Sequence, residues 1–264
     1  MPFTQHPVFI GPIQDQVIWR YMDFAKFYDL VTRKTLYLSS LESLTSDPWE
    51  GLPPKKYFDP LRKVRVNTIE SNSTLDLRNC ENSQVMTQQE FFKGKEKFNS
   101  YVQNNVKSLR ERKKKIFVNC WHMNDIESEA LWKIYSEKEY GICIRSTYKK
   151  LSDALKYSKT IYSGKVIYLD ESTELHGDDN IYYNCIWKRK SFEYEKELRV
   201  IIHDEENISS GVRIPININC LIDEIIICPD AKDWFLENVQ YLGRSVGCFN
   251  CVKSNLLSEP IYSD

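Results

Sequence analysis

Apolar and polar residues alternate along Val17-Ile-Trp-Arg-Tyr-Met22, recur at helical spacing as Phe24, Phe27, Tyr28, Leu30 and Val31, and close up again at Thr35-Leu-Tyr-Leu38. A period of two, then one near 3.6, then two predicts a strand, a helix and a second strand. The next stretch, Ser39 to Gly51, carries hydroxyls, an Asp47-Pro48 step and a glycine, and reads as a surface loop of the kind that often carries function. Residues 67 to 86 are polar and rich in Asn and Ser. They predict a mobile loop at the edge of a mostly helical insertion over 55–115. Thr87 and Glu90 form a capping box for a helix whose apolar stripe is Phe91, Phe98, Val102, Val106 and Leu109.

Beyond the insertion, Ile116 to His122 predicts a buried strand, and Asn124 with Glu127 predicts the cap of another helix. On that helix Ala130, Leu131 and Ile134 form the expected core stripe, while Ser128, Trp132 and Tyr135 share a neighbouring face. Further strands are predicted at Gly141 to Ile144 and near Lys165 to Leu169, Glu195 to His203, Val212 to Ile218 and Ile222 to Cys228. Helices are predicted at 148–157 and from Asp230 to Leu242. Strands outnumber helices and regular βαβ alternation is missing. The expectation is one α+β domain over 1–264 with a mixed, largely antiparallel sheet.

Composition narrows the functional classes. Among 264 residues, 36 Lys and Arg nearly balance 37 Asp and Glu, so the net charge of −1 exerts no global pull on nucleic acid or an acidic membrane. Any such contact must be local, and the run Arg110, Arg112, Lys113, Lys114, Lys115 offers two readings: complement to a helix dipole, or a patch for an anionic partner. No apolar run reaches membrane-span length and the first residues lack signal-peptide features, so a cytoplasmic protein is expected, with no membrane partner. Eight cysteines are mostly scattered singly in apolar surroundings, as expected of reduced thiols. Cys248 and Cys251 have CxxC spacing, but Cys220 and Cys228 do not complete a zinc knuckle, so no metal is expected. The four histidines show no ligand spacing, and GxSxG, GxGxxG, P-loop and HExxH motifs are absent.

What remains is chemistry of carboxylates, arginines and aromatics. The most informative segment is Lys190 to Ile202, where an acidic loop enters a β-branched run. A strand starting near Glu195 puts Glu195, Glu197 and Arg199 on one face, so that Arg199 either neutralises the two carboxylates structurally or shares a reactive site with them. Arg20 sits among apolar residues of the first strand. It needs either an acidic partner such as Glu197 or a phosphate to grip. Trp132 and Tyr135 read either as core aromatics or as the lining of a cleft.

The order of Trp-Arg-Tyr, Leu-Tyr-Leu-Ser-Ser through Asp-Pro-Trp-Glu, Val-Asn-Cys-Trp through Glu-Ser-Glu-Ala-Leu-Trp-Lys-Ile-Tyr-Ser, Gly-Ile-Cys-Ile, Glu-Tyr-Glu-Lys-Glu-Leu-Arg and Ile-Asp-Glu-Ile-Ile-Ile-Cys-Pro resembles the bacterial domain-of-unknown-function family twenty-nine seventy-one, over about residues 17 to 257. That resemblance implies kinship without an activity. The chain also resembles ADP-ribosyltransferases. Arg20, Ser39 or Ser40, and Glu195 with Glu197 occur in the order and settings of that superfamily's arginine, serine and Glu-x-Glu residues, with Ser39-Ser40-Leu41 in place of a Ser-Thr-Ser triplet. This second resemblance implies a split sheet and NAD as substrate. It assigns Glu197, Glu195 and Arg20 to catalysis, and Arg20, Ser39, Ser40, Trp132, Tyr135 and Arg199 to NAD binding. The reaction would be transfer of ADP-ribose to a macromolecule or hydrolysis of NAD, in a toxin or phage-defence setting. Two rival classes stay open: a nucleic-acid-processing enzyme using the same acids and arginines, and a non-catalytic binding or regulatory domain in which they form a structural network.

Overall fold

The computed structural model describes residues 3–53, 88–136, 138–157, 159–170, 180–207, 209–247 and 249–260. The predicted loop at 67–86, the Thr87 cap and most of the predicted insertion lie outside these residues. The chain begins with β1 (Val17–Asp23), α1 (Phe24–Arg33) and β2 (Thr35–Ser40). Asp23 starts α1 as its cap, its carboxylate accepting from the Lys26 amide at 2.9 Å, and Phe27, Leu30 and Val31 are the buried face. The helix ends at Lys34, which adopts a left-handed φ of 51° and turns the chain into β2.

After α2 (Gln88–Lys113) come β3 (Ile116–Met123), α3 (Glu129–Tyr135), β4 (Gly141–Thr147), α4 (Tyr148–Ala154), β5 (Tyr162–Lys165) and β6 (Ile167–Leu169). Then follow α5 (Ile181–Ile186), β7 (Trp187–Arg189), a 3-10 turn (Lys190–Glu195), β8 (Glu197–His203), β9 (Gly211–Pro215), α6 (Ile218–Leu221), β10 (Glu224–Ile227), α7 (Asp233–Val246) and β11 (Asn250–Lys253). Among the described residues nine strands form one sheet, in the order β11-β10-β4-β1-β3-β2-β9, with β8 joining it by pairing with β3 and β5. Every ladder in it is antiparallel except β10 with β11, so the fold is α+β with a mixed, largely antiparallel sheet.

The sheet is split at β3. One edge of β3 is fully paired with β8, from Ile116↔His203 to His122↔Glu197. The other edge is shared by two strands that never pair with each other. β2 takes its beginning, through Ser39↔Val118 and Ser40↔Phe117, and β1 takes its end, through Trp19↔His122 and Ile18↔Met123. Residues 119–121 therefore have no strand neighbour on that side, and the backbone there must find other partners. On one face of the sheet Phe117, Trp121, Leu198, Val200 and Ile202 belong to the larger core, and on the other Val118 and Ile201 pack with Leu41, Ile186 and Trp187.

Several local expectations are corrected. β8 begins at Glu197, because Lys196 takes a left-handed φ of 40° and Glu195 belongs to the preceding 3-10 turn. The cap of α3 is Ser128, whose hydroxyl accepts from the Leu131 amide, while Asn124 instead bonds the Ile126 carbonyl. Glu127 is drawn away by Trp132 Nε1 and Ser254 Oγ, at 2.9 and 2.8 Å. The buried side of α3 is thus Leu131 and Trp132, with Ala130 and Ile134 exposed. Along α2, Phe98, Val102, Val106 and Leu109 are only half-buried. No helix among the described residues is long and apolar enough to cross a membrane.

Lys34 supplies a test of this backbone. It is exposed and left-handed, a conformation that costs a side chain about 1 kcal/mol and glycine almost nothing. Lys34→Gly should therefore raise stability by about 0.5–1 kcal/mol in urea melts, and Lys34→Val should lower it.

Candidate functional site

The acidic segment folds around a guanidinium. Arg199 is removed from solvent altogether, and its Nε and Nη2 donate to the two oxygens of Glu197 at 2.7 and 2.9 Å. Its Nη1 donates to Glu50 Oε1 at 2.8 Å and to the Cys185 carbonyl at 2.7 Å. Glu50 reaches this point from the predicted loop after β2, where Gly51 at φ 69° turns the chain so tightly that a Cβ would sit 2.8 Å from Leu41. Lys188 of β7 is the second cation. It pairs with Glu195, lies 3.4 Å from Glu197 and lies 3.7 Å from Glu50. Three carboxylates against two cations leave the cluster formally one negative charge in excess.

The two Glu-x-Glu carboxylates have different environments. Burial alone would raise the pKa of Glu197, but the charge and hydrogen bonds of Arg199, helped by Lys188, bring it down to about 2. Its backbone amide donates to the Tyr168 hydroxyl at 2.8 Å. Glu195, besides Lys188, accepts from the Tyr135 hydroxyl at 2.6 Å. Burial pushes the Tyr135 phenol upward, and the Glu195 hydrogen bond pushes it further, so it stays a donor. Burial lowers Lys188, but the carboxylates around it outweigh that and hold it protonated, which removes it as an amine nucleophile. The Cys120 thiol is pushed well up by burial and by Glu197 beside it, so it is no thiolate nucleophile.

A cleft of about 270 Å³ runs along this cluster and into the split in the sheet. Glu195, Glu197, Arg20, Ser39 and Tyr135 all line it, together with Glu50, Lys188 and residues 118–122 of β3. Arg20 arrives from the other face of the sheet. Trp19 faces His122 in the ladder, so the strand pleat puts Arg20 on the face opposite Glu197 and Arg199, not on the same one. Its guanidinium lies over Trp121, 5.9 Å from the ring centre, and enters the split, where Nη1 donates to the Cys120 carbonyl at 2.6 Å. A side chain thus takes the place of a missing ladder hydrogen bond. No carboxylate among the described residues lies within ion-pairing distance of Arg20, and burial lowers its pKa. The expected ion pair with Glu197 is not formed.

Three other expected site residues are placed outside the cleft lining. Arg199 is consumed by its carboxylates. Ser40 is buried on the far side of β2, paired opposite Phe117. Trp132 is a core residue, its ring edge-on to Tyr21 at 5.0 Å. The basic run at the end of α2 is partly engaged within the fold, Lys114 by Glu111 at 2.9 Å and Lys115 by the Asn207 carbonyl, while Arg110 and Arg112 are exposed. Cys248 lies outside the described residues. Among those described, no group of three or more His, Cys, Asp or Glu is placed to hold a metal ion.

Lys188 and His122 were not assigned to the site on sequence. Lys188 lies between a tryptophan and an arginine in a short strand without periodicity, and His122 looks like one more residue of an apolar strand. A buried lysine needs acids around it, and the only signal was the excess of carboxylates in the segment that follows.

Glu197 carries the testable part of the cluster. Its folded pKa lies below the ordinary 4.5, so the stability it contributes is present above about pH 4.5 and is lost as pH falls toward 2. The loss should be about 3 kcal/mol, read from urea melts across that range. Glu197→Gln should be destabilised by a similar amount at neutral pH, and its acid limb should be flatter than that of the wild type.

In comparisons with known proteins, no family model, no curated protein and no solved structure matches the chain, so both resemblances stand on its residues alone.

Proposed function

We propose that the chain is an NAD-using enzyme of the ADP-ribosyltransferase kind, which breaks the bond between nicotinamide and ribose and passes ADP-ribose to a macromolecular acceptor. The observation that carries this reading is the polarity of the split. Asn119 Oδ1, Trp121 Nε1 and His122 Nε2 are buried and have no hydrogen-bond partner among the described residues, the residues that carry them line the cleft, and Arg20 lies over Trp121 without a carboxylate of its own. Buried polar atoms left unpaired cost about 1–3 kcal/mol each, so three of them on neighbouring residues of the split strand, with an arginine that has no carboxylate, favour a ligand with donors, acceptors and negative charge. A dinucleotide has all three.

In this reading Arg20 holds a phosphate oxygen of the pyrophosphate, and the face of Tyr135 packs against the nicotinamide. Glu195 takes the role that the superfamily gives to its acid. Its oxygens still have lone pairs beyond those used by Tyr135 and Lys188, so it accepts from a ribose hydroxyl and stabilises positive charge as the glycosidic bond opens. Glu197 supports the site by holding Arg199. The excess negative charge of the cluster adds to the same stabilisation.

The wild type, supplied with a cell extract as a source of acceptors, should release nicotinamide from NAD and gain melting temperature as NAD is added. Glu195→Gln should lower nicotinamide release by a factor of about 100 or more. Arg20→Gln should chiefly raise KM for NAD. A wild type that neither binds nor turns over NAD would favour the non-catalytic reading, in which the acids and arginines only hold the fold.

A further inference from the structure

His122 is a group of the cleft to which this reading assigns no task. It lies on β3 directly across the ladder from Glu197, and the residue is 5% exposed. Nδ1 is 2.6 Å from the backbone carbonyl of Glu195. A carbonyl only accepts, so Nδ1 carries the proton of the neutral ring and Nε2 is left with a bare lone pair. That Nε2 is the atom without a partner among the described residues, in a residue that lines the cleft. The backbone is shaped to make the contact. Lys196 holds a left-handed φ of 40° between the 3-10 turn and β8, and its own carbonyl accepts from Met123 at 2.9 Å. The carbonyl just before that bend meets His122, while the side chain of the same residue, Glu195, faces the cleft. One residue therefore sets the tautomer of His122 and lines the cleft beside it.

We propose that His122 Nε2 is the general base that activates the acceptor in the reaction proposed above. The inference rests on that reading. As the bond between ribose C1′ and nicotinamide breaks, its electron pair leaves with the nicotinamide nitrogen. The acceptor oxygen forms the new bond to C1′ and gives its proton to Nε2, which passes it to solvent. Water in place of the acceptor makes the same step a hydrolysis. The groups around His122 suit the role. Tyr21 of β1 lies 6.3 Å away between ring centres, Glu197 of β8 stands opposite, Cys120 shares its strand face, and Glu195 and Lys196 come from the turn. Tyr135 of α3 and Lys188 of β7 line the same cleft. Burial, helped by the Lys196 charge, outweighs the Glu195 carbonyl and lowers the pKa of His122, so the ring is a free base at neutral pH.

Two substitutions separate a base from a structural ring. His122→Asn keeps a donor near the Nδ1 position for the Glu195 carbonyl but has no atom at Nε2, and His122→Gln does the reverse without offering an equivalent base. Nicotinamide release and ADP-ribose transfer would be followed from pH 5 to 9, with melting temperature measured alongside. In the wild type the rate should fall at the acid end as the ring is protonated. Both variants should lose about 100-fold or more in kcat with KM for NAD nearly unchanged, and the acid limb should disappear. His122→Asn should keep its melting temperature. A His122→Asn enzyme with wild-type kcat and an unchanged acid limb overturns the base and leaves the transferase standing. A wild type that releases no nicotinamide with any extract overturns the transferase and the base together.

Discussion

The burial of Arg199 is the constraint from which the site follows. A guanidinium with no solvent contact must be met by carboxylates on nearly every nitrogen, because desolvating it otherwise costs several kcal/mol. Glu197 meets it from its own strand with a two-point contact, and Glu50 meets it from a loop about 150 positions earlier in the chain. The loop after β2 is thereby fastened over the beginning of β8. Lys188 then balances the acids that have been gathered, and it does so from β7, which packs with the helix before it under the same face of the sheet.

That arrangement divides the labour between two similar side chains. Glu197 is saturated by its cations and held ionised far into the acid range, so its energy goes into the fold. Glu195 sits in the preceding 3-10 turn, bonded to the hydroxyl of a partly exposed tyrosine, and faces the cleft with acceptor capacity to spare. Two residues apart in the chain, they differ because the left-handed bend at Lys196 lies between them.

The split sheet supplies the other half of the site. Where β1 and β2 part company along β3, the backbone loses a strand neighbour, and Arg20 fills one vacancy by donating to the Cys120 carbonyl. The side chains of Asn119, Trp121 and His122 are left with polar atoms that no described residue satisfies. An open seam in a sheet is costly unless something completes it, which is why the reading as a ligand site starts there and not at the acids.

Much of the fold was legible in the chain. The strand, helix, strand opening, the buried strand at Ile116, the mixed sheet and the meeting of Glu197 with Arg199 follow from periodicities of two and 3.6 and from strand parity, which are local properties. What parity could not supply was the side from which Arg20 enters, since that depends on which residue of β3 stands opposite Trp19, a register set by distant pairing. Nor could the chain by itself separate Glu195 from Glu197, because strand parity extends two residues back to Glu195 and the positive φ at Lys196 leaves no mark in composition. Trp132 and Tyr135 look alike at helical spacing, yet one is packed against Tyr21 and the other reaches Glu195. The sequence by itself determined the opening strand, helix and strand, the buried strand at Ile116 and that charge had to be gathered near Glu197; only the tertiary structure decided which charges meet, because Glu50, Lys188 and Arg20 reach the cleft through long-range pairing that no local pattern encodes.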